Sequence, residues 1–464
     1  LNQQQRVRQA GSNPMLLNDY GSQYLWGIPK EGQTLEEVET LLLEQLELVK
    51  KGEFGDWLVP AIINDFKKNT KAGLESDPAR VSDMRQSWLA FQSWDEHVAR
   101  FDRMEKLSKD DIVRVANKYF GDNYVAGLRK DAPHSVPDIE KPELAAIDID
   151  PRRESAFARE LLGLDVAPIK PTFVDRDKDL TIVEAMEGVR LYYVKNPLND
   201  LFSFSIDAPV GTRHDNTLNL AASLYTKSGT DKLSPEALQQ EWYKLGTNMG
   251  FGAGDEDVSI SISGLDENFA ASMALLHDAI HTPQAPPETL DELKKIVLVE
   301  REDAQKEAQS ISRAVVQYNR YGDESDYLTR MTTEDIQGIS SEALYANAQA
   351  VLDYEQNVSY VGTLPLEEVI AAIKTFYGER TTVKKAPEVA KRVARSPEQT
   401  EIYFHHKEAA QAQIRLEFGS GFYAEGLNPT IQLYNNYFAG GMAGIVFQEL
   451  REARALAYSA GARY

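Results

Sequence analysis

Near the end of the chain, "GGMAGIVFQELREARALAY" spans residues 440–458 and sets Arg451 seven positions before Tyr458. A phenol can donate a hydrogen bond to an oxygen that gains negative charge during a reaction, and a guanidinium can fix a carbonyl or carboxylate. On spacing alone, the plain reading is an arginine in a helix-face ion pair and a tyrosine in the core. Two histidine pairs are the other candidates. "HDAIH" puts His277 and His281 one helical turn apart, with Asp278 beside them, the spacing of a metal pair on one helix face. The structural reading puts His281 near a helix C-terminus, where the dipole favours imidazolium. His405 and His406 are adjacent in "EIYFHHK", which reads as a strand, so their rings should point to opposite faces and hold no metal together. No G-x-S-x-G elbow accompanies the many serines. "GMAG" lacks the lysine of a phosphate loop and suits close backbone packing instead.

The elements that must position these residues begin with composition. A chain of 464 residues is expected to form about two to four domains. The formal net charge of −22 argues against nucleic acid or an anionic membrane as main partner. It suits basic peptides, solubility being the plainer reading. With no cysteine there is no disulfide, thiolate nucleophile or Cys-type zinc site, and the compartment stays open. An envelope or exported location rests on this acidic, cysteine-free composition alone. No apolar run approaches the ~20 residues of a membrane span. The opening "LNQQQRVRQAGSN" has neither a start Met nor a signal-peptide core and reads as the interior of a longer protein or as a processed chain.

Residues 1–130 are read as a first region. "TLEEVETLLLEQLELVKK" has helical periodicity, with Thr34 and Glu37 as a capping box. A long helical stretch is expected from Trp57 to about Trp94, then a capped helix after Ser108 and a closing strand, "NYVAGLRK". Prolines punctuate 131–179, read as a linker with one short helix near Arg153–Leu162. Residues 180–378 form the next domain. Strands are expected at 189–194, 201–207 and 257–264, the last with one wet face. Between them lies a helix with Ser234 as N-cap, Pro235 at its first position and Gly246 as terminator. "ISSEALYANAQAVL" and "NVSYVGTL" repeat the helix-and-strand ending of the first region, an apparent duplication. The first copy lacks the strand-rich opening, so the sequence is expected to begin partway into a domain. Residues 379–399 are a second linker carrying a basic island of Lys384, Lys385, Lys391, Arg392 and Arg395. A solvated linker is the ordinary reading, and docking on an acidic surface of the same protein the sharper one. Residues 400–464 begin a further domain with two strands, "EIYFHHK" and "AQIRLEFGSGF", followed by helix, Gly-rich turn and helix.

The Gly-rich turn with "FQELREARALAYS" resembles the C-terminal domain of insulinase- or pitrilysin-type zinc peptidases, the inverzincins. "APVGTRHDNTLNLAASLYTKSGT" is independently similar to the strand–Gly–helix segment that carries H-x-x-E-H in the family's active domains. The most specific points are Gly229-Thr230, the "LSPEALQQEWYKLGTNMGF" that follows, and Arg451 with Tyr458. In segment order the resemblance covers essentially the whole chain. It implies an α+β fold of tandem related two-layer domains, each an antiparallel sheet backed by helices, forming half of a clamshell that closes over a peptide. Placed by Gly229-Thr230, the family's zinc positions fall on Leu220, Ser223 and Leu224. Zinc needs N, O or S donors and a nearby carboxylate base, which two leucines and a serine do not supply. Glu300 lies near the third ligand's place but reads as a solvated helix residue. The resemblance thus implies a partial second domain at 1–130, the inactive third domain at 180–378 and the start of the fourth at 400–464.

The expected function is therefore the C-terminal part of a zinc metalloendopeptidase. It would form the substrate-chamber half and supply Arg451 and Tyr458 as substrate-binding and transition-state groups. The chain itself would hold no metal, and zinc would belong to the complete enzyme. Implied partners are a peptide or unfolded protein substrate and a missing N-terminal half or separate zinc-bearing partner. Two alternatives remain: a non-catalytic peptide-binding subunit paired with a zinc-bearing chain, and a purely structural member.

Overall fold

The structure, a computed structural model, describes residues 1–131, 140, 153–380, 382–388, 392–409, 411–419 and 424–464. Contacts divide the chain into two compact units. The first comprises Leu1–Lys306 and Thr329–Lys391, the second Glu307–Leu328 and Arg392–Tyr464. No helix among the described residues is long and apolar enough to cross a membrane.

The first unit opens with an antiparallel hairpin of β1 (Gln9–Leu16) and β2 (Gly21–Ile28), which periodicity did not announce. The helix Leu35–Lys51 follows with its capping box formed on both sides, the Thr34 hydroxyl accepting from Glu37 N at 3.1 Å and the Glu37 carboxylate from Thr34 N at 2.8 Å. The expected long helix breaks into Leu58–Gly73 and Asp77–Leu89. Pro78 can sit in the first turn of a helix but cannot continue one. The helix Lys109–Tyr119 is capped by Ser108 as expected. The closing strand at 123–130 is not formed, and Tyr124, Val125 and Leu128 are exposed. Local alternation does not make a strand without a neighbour to satisfy its backbone. In the second copy the equivalent segment lies inside a sheet, so the two endings differ in structure.

That sheet is built from β3 (Thr181–Met186), β4 (Val189–Lys195), β5 (Leu201–Ala208), β7 (Asn248–Ala253), β8 (Val258–Leu265) and β10 (Gln356–Gly362), in the order β3-β4-β10-β5-β8-β7. A separate pair joins β6 (Gly229–Thr230) to β9 (Pro283–Gln284). The three strands expected from sequence lie in this one sheet, as β4, β5 and β8. It is antiparallel except where β10 runs parallel to β4, and β10 pairs centrally between β4 and β5. Alternation sorts its faces. Leu191, Phe204, Ile206, Ile260, Ile262 and Tyr360 are fully buried on one face, backed by helices that include Leu218–Tyr225, Phe269–His281 and Leu366–Tyr377. The opposite face carries Ser203, Ser205, Ser259, Ser261, Ser263 and Ser359, with Gly250 and Gly252 at the β7 edge. Register sets Ser203 across from Ser263, and Ser205 across from both Ser261 and Ser359, its hydroxyl 2.7 Å from that of Ser359. The protein is thus α+β, a sheet backed by helices on one face.

One polar group inside the first unit is fully engaged. Asp266 accepts from the Tyr360 hydroxyl at 3.0 Å, from Thr363 N at 2.9 Å and from the Thr363 hydroxyl at 2.7 Å. Gly362 makes room for this cluster, because a Cβ there would lie 2.1 Å from the Tyr360 oxygen.

The second unit contains the helices Ala308–Tyr321 and Asn428–Ala439. The strand expected at 401–407 is absent, as is the one expected at 412–422 over its described residues 412–419, the remainder of it lying outside the described residues. The described residues there are irregular, and Ile402, Phe404, Ile414, Leu416 and Phe418 are exposed. Their alternation is real, but no neighbouring strand among the described residues pairs with it. His405 and His406 therefore do not sit on a strand. Three of the island's described basic residues, Lys384, Arg392 and Arg395, are paired, and Lys385 is exposed. In the first unit Lys384 pairs with Asp353 at 3.0 Å. In the second, Arg392 pairs with Asp326, and Arg395 reaches Glu401 at 2.7 Å and donates to the Arg320 carbonyl through its backbone N–H. Lys391 lies outside the described residues.

Candidate functional site

Arg451 sits on a widened helical turn, Phe447–Glu452, in which Ala453 N donates to Gln448 O at 2.8 Å. The turn starts where glycines permit close backbone approach. At Gly440 a Cβ would lie 2.4 Å from Asn436 O, and at Gly444 it would lie 2.9 Å from Ala439 C. Phe447 and Arg451 are four residues apart and share a face of the turn, with the guanidinium carbon 4.7 Å from the Phe447 ring centroid. The turn ends at Ala455, whose φ of 47° is in the left-handed region. There Ala455 N donates to Arg451 O at 3.1 Å and Leu456 N to Leu450 O at 2.9 Å. The reversal brings Tyr458 back, and its ring centroid lies 4.6 Å from the guanidinium carbon of Arg451. The seven-residue spacing is thus one helical turn, one left-handed residue and a short return.

Tyr458 is 82% exposed, so it is not a core residue. Arg451 has an ion-pair contact only through Nε, 3.6 Å from Glu452 Oε1. Among the described residues neither the Tyr458 hydroxyl nor the terminal nitrogens of Arg451 have a hydrogen-bond partner. The arrangement therefore offers one neutral and one cationic donor at the surface of the second unit. Ala455 is the strained link, because a Cβ in the left-handed region costs about 1–2 kcal/mol. Ala455→Gly is expected to stabilise the second unit by about 1 kcal/mol, read as a raised melting temperature. An unchanged or lowered melting temperature would show that the turn is not held at positive φ.

The positions implied for zinc do not fit a metal. Leu220 and Leu224 are buried in the helix Leu218–Tyr225, Leu224 at 0% exposure, within the core behind the sheet. Ser223 Oγ donates back to the Asn219 carbonyl at 3.0 Å. Glu300 is exposed on the helix Pro287–Ala304. No three His, Asp or Glu side chains converge as a metal cluster among the described residues.

The structure does bring His277 and His281 together, their ring centroids 4.6 Å apart. His281 Nε2 lies 3.1 Å from the Phe376 carbonyl. Burial, with His277 alongside, holds the His281 imidazole below the ordinary histidine range. His281 does end the helix Phe269–His281, as expected, but desolvation of the charged form opposes the dipole and the carbonyl acceptor there. Asp278 is taken by Lys232 at 2.7 Å, which lowers its pKa. Sequence reasoning passed over Phe447, although an aromatic four residues before an arginine is a readable signal, and it also passed over the buried Asp266.

Residues 356–464 match the family described as the peptidase M16 inactive domain. No match emerged among curated proteins. Among solved structures, the chain is similar to a peptidase M16 inactive domain from Pseudomonas fluorescens, with 16% identity, 60% of this chain and 69% of that one covered, and a TM-score of 0.47. It is also similar to a protease from Helicobacter pylori, with 13% identity, 61% and 70% coverage and a TM-score of 0.45. The periplasmic protease PqqL from Escherichia coli aligns at 13% identity over 84% of this chain and 46% of that one, with a TM-score of 0.41.

Proposed function

We propose, from the match of residues 356–464 to the peptidase M16 inactive domain, that this chain is the C-terminal part of a zinc-dependent endopeptidase of that family. It forms one wall of the substrate chamber and supplies Arg451 and Tyr458 to the reaction, while zinc is held outside these residues. The observation that carries this reading is the juxtaposition of the Arg451 guanidinium with the exposed Tyr458 ring at 4.6 Å, the hydroxyl and the terminal guanidinium nitrogens having no hydrogen-bond partner among the described residues. Zinc, where it is bound, supplies the electrophile and the activated water. The Tyr458 hydroxyl donates to the oxyanion of the tetrahedral intermediate. Arg451 holds a substrate carbonyl through its terminal nitrogens. The hydroxyl- and glycine-covered sheet face supports the wall role, since it is polar without carrying a dense charge.

The substrate class is a peptide or unfolded protein, and the necessary partner is a zinc-bearing half or chain. The isolated chain is expected to bind no stoichiometric zinc and to cleave no peptide. Combined with a zinc-bearing H-x-x-E-H half, it is expected to give chelator-sensitive peptide hydrolysis. Elemental analysis and a fluorogenic peptide assay check both. One tightly held zinc per isolated chain, lost on His277→Ala, would instead make the histidine pair a metal site.

A further inference from the structure

Arg451 and Tyr458 do not explain the third member of their stack. Phe447 is half-buried, and its ring centroid lies 4.7 Å from the guanidinium carbon. We infer that Phe447 is a positioning residue that holds the Arg451 guanidinium in place and, through it, the ring of Tyr458. This rests on the Arg451/Tyr458 reading above.

An arginine side chain has four rotatable bonds before its planar head, and an unrestrained one samples many positions. The ionic restraint on Arg451 is weak: Glu452 is its chain neighbour and meets only Nε, at 3.6 Å. The remaining contacts are aromatic. Two ring centroids lie within 5 Å of the same guanidinium carbon, inside the range of cation–π attraction. Stacking uses the face of a guanidinium and leaves its edge N–H groups available. A carboxylate partner would occupy those edge donors, so an aromatic platform is the restraint that keeps them free for a carbonyl. Phe447 reaches Arg451 from within the same turn, four residues away, whereas Tyr458 arrives only after the chain reverses at Ala455. The order of support therefore runs from Phe447 to Arg451 to Tyr458.

The test has two arms, with Phe447→Leu removing the ring and Phe447→Tyr keeping it. In the full chain, modification of Arg451 by phenylglyoxal, mapped by mass spectrometry, is expected to be several-fold faster in Phe447→Leu and unchanged in Phe447→Tyr. Matching thermal melts confirm that both variants fold. In the enzyme completed by its zinc-bearing half, Phe447→Leu is expected to lower kcat about tenfold, or about 1.4 kcal/mol, while Phe447→Tyr stays within about twofold of wild type, the tyrosine ring presenting the same cation–π face. A purely structural role would move both variants' melts and would not be rescued by the second ring. A wild-type modification rate in Phe447→Leu overturns the inference whatever the activity. Full activity in both Arg451→Ala and Tyr458→Phe overturns the functional reading beneath it.

Discussion

Tyr458→Phe in the completed enzyme is expected to lower kcat by about 10²–10³, equivalent to about 2.7–4 kcal/mol, with zinc content unchanged. A hydroxyl that donates only to the oxyanion makes no use of that bond in the ground state, so KM should hardly move. Folding stability should also be nearly unaffected, because an 82% exposed phenol without an internal partner loses nothing on becoming phenylalanine. That separates the chemical role from packing: a packing tyrosine would change the melt and spare the rate. Arg451→Ala should alter kcat and KM together if the guanidinium holds bound peptide as well as the Tyr458 ring. Because the two side chains are in contact, the double variant should fall well short of the summed losses. Wild-type kcat in Tyr458→Phe would remove Tyr458 from bond cleavage, and wild-type kcat in Arg451→Ala as well would leave the chain with no part in it.

Asp266→Ala is expected to remove about 2–4 kcal/mol of folding stability from the first unit. The carboxylate is 6% exposed and accepts three hydrogen bonds, from the Tyr360 hydroxyl and from the backbone and side chain of Thr363. Deleting it strands the donor of Tyr360, which is fully buried, and a stranded buried donor costs more than a lost bond. Asp266→Asn keeps an acceptor oxygen and should cost less. Tyr360→Phe removes a donor to Asp266 and the acceptor of Leu364 N, leaves Asp266 its bonds from Thr363, and should cost about 1–2 kcal/mol. Urea denaturation of the three variants checks the order, and an Asp266→Ala midpoint equal to that of wild type would show that the cluster contributes nothing.

Local signals were legible in the sequence wherever a few neighbouring residues decide the outcome. Thr34 with Glu37, Ser108, and Ser234 with Pro235 each cap a helix as their types and spacing imply. The strict alternation of Val258–Leu265 gave a strand with one buried and one open face. What failed was anything that depends on a distant partner. "NYVAGLRK" and "EIYFHHK" alternate as well as β10 does, yet only β10 has β4 and β5 beside it. The hairpin of β1 and β2 went unread for the opposite reason: its strands pair with each other through a weak, glycine-interrupted pattern. For the site, the spacing of Arg451 and Tyr458 was visible, but the left-handed Ala455 that turns it into proximity was not, since alanine carries no signal for positive φ. The helix-end position of His281 was legible because it is local, whereas its packing against Phe376 comes from nearly a hundred residues away and was not.

The open face of the six-stranded sheet has a consequence for how a guest would move across it. On this face Ser203 and Ser205 of β5 lie across from Ser263 and Ser261 of β8, and Asp207 lies across from Ser259. Such positions repeat about 7 Å along a strand and about 4.8 Å between strands. An extended guest displaced by two residues would exchange one serine pair for the other in the middle of the face and would meet the Asp207 carboxylate at one end. Asp207 is the charge among these facing pairs and marks one register, whereas the two serine pairs differ little from each other. Under the proposed chamber reading, the serine pairs would offer contact with little address, and the choice of cleavage position would fall to Asp207 or to groups elsewhere.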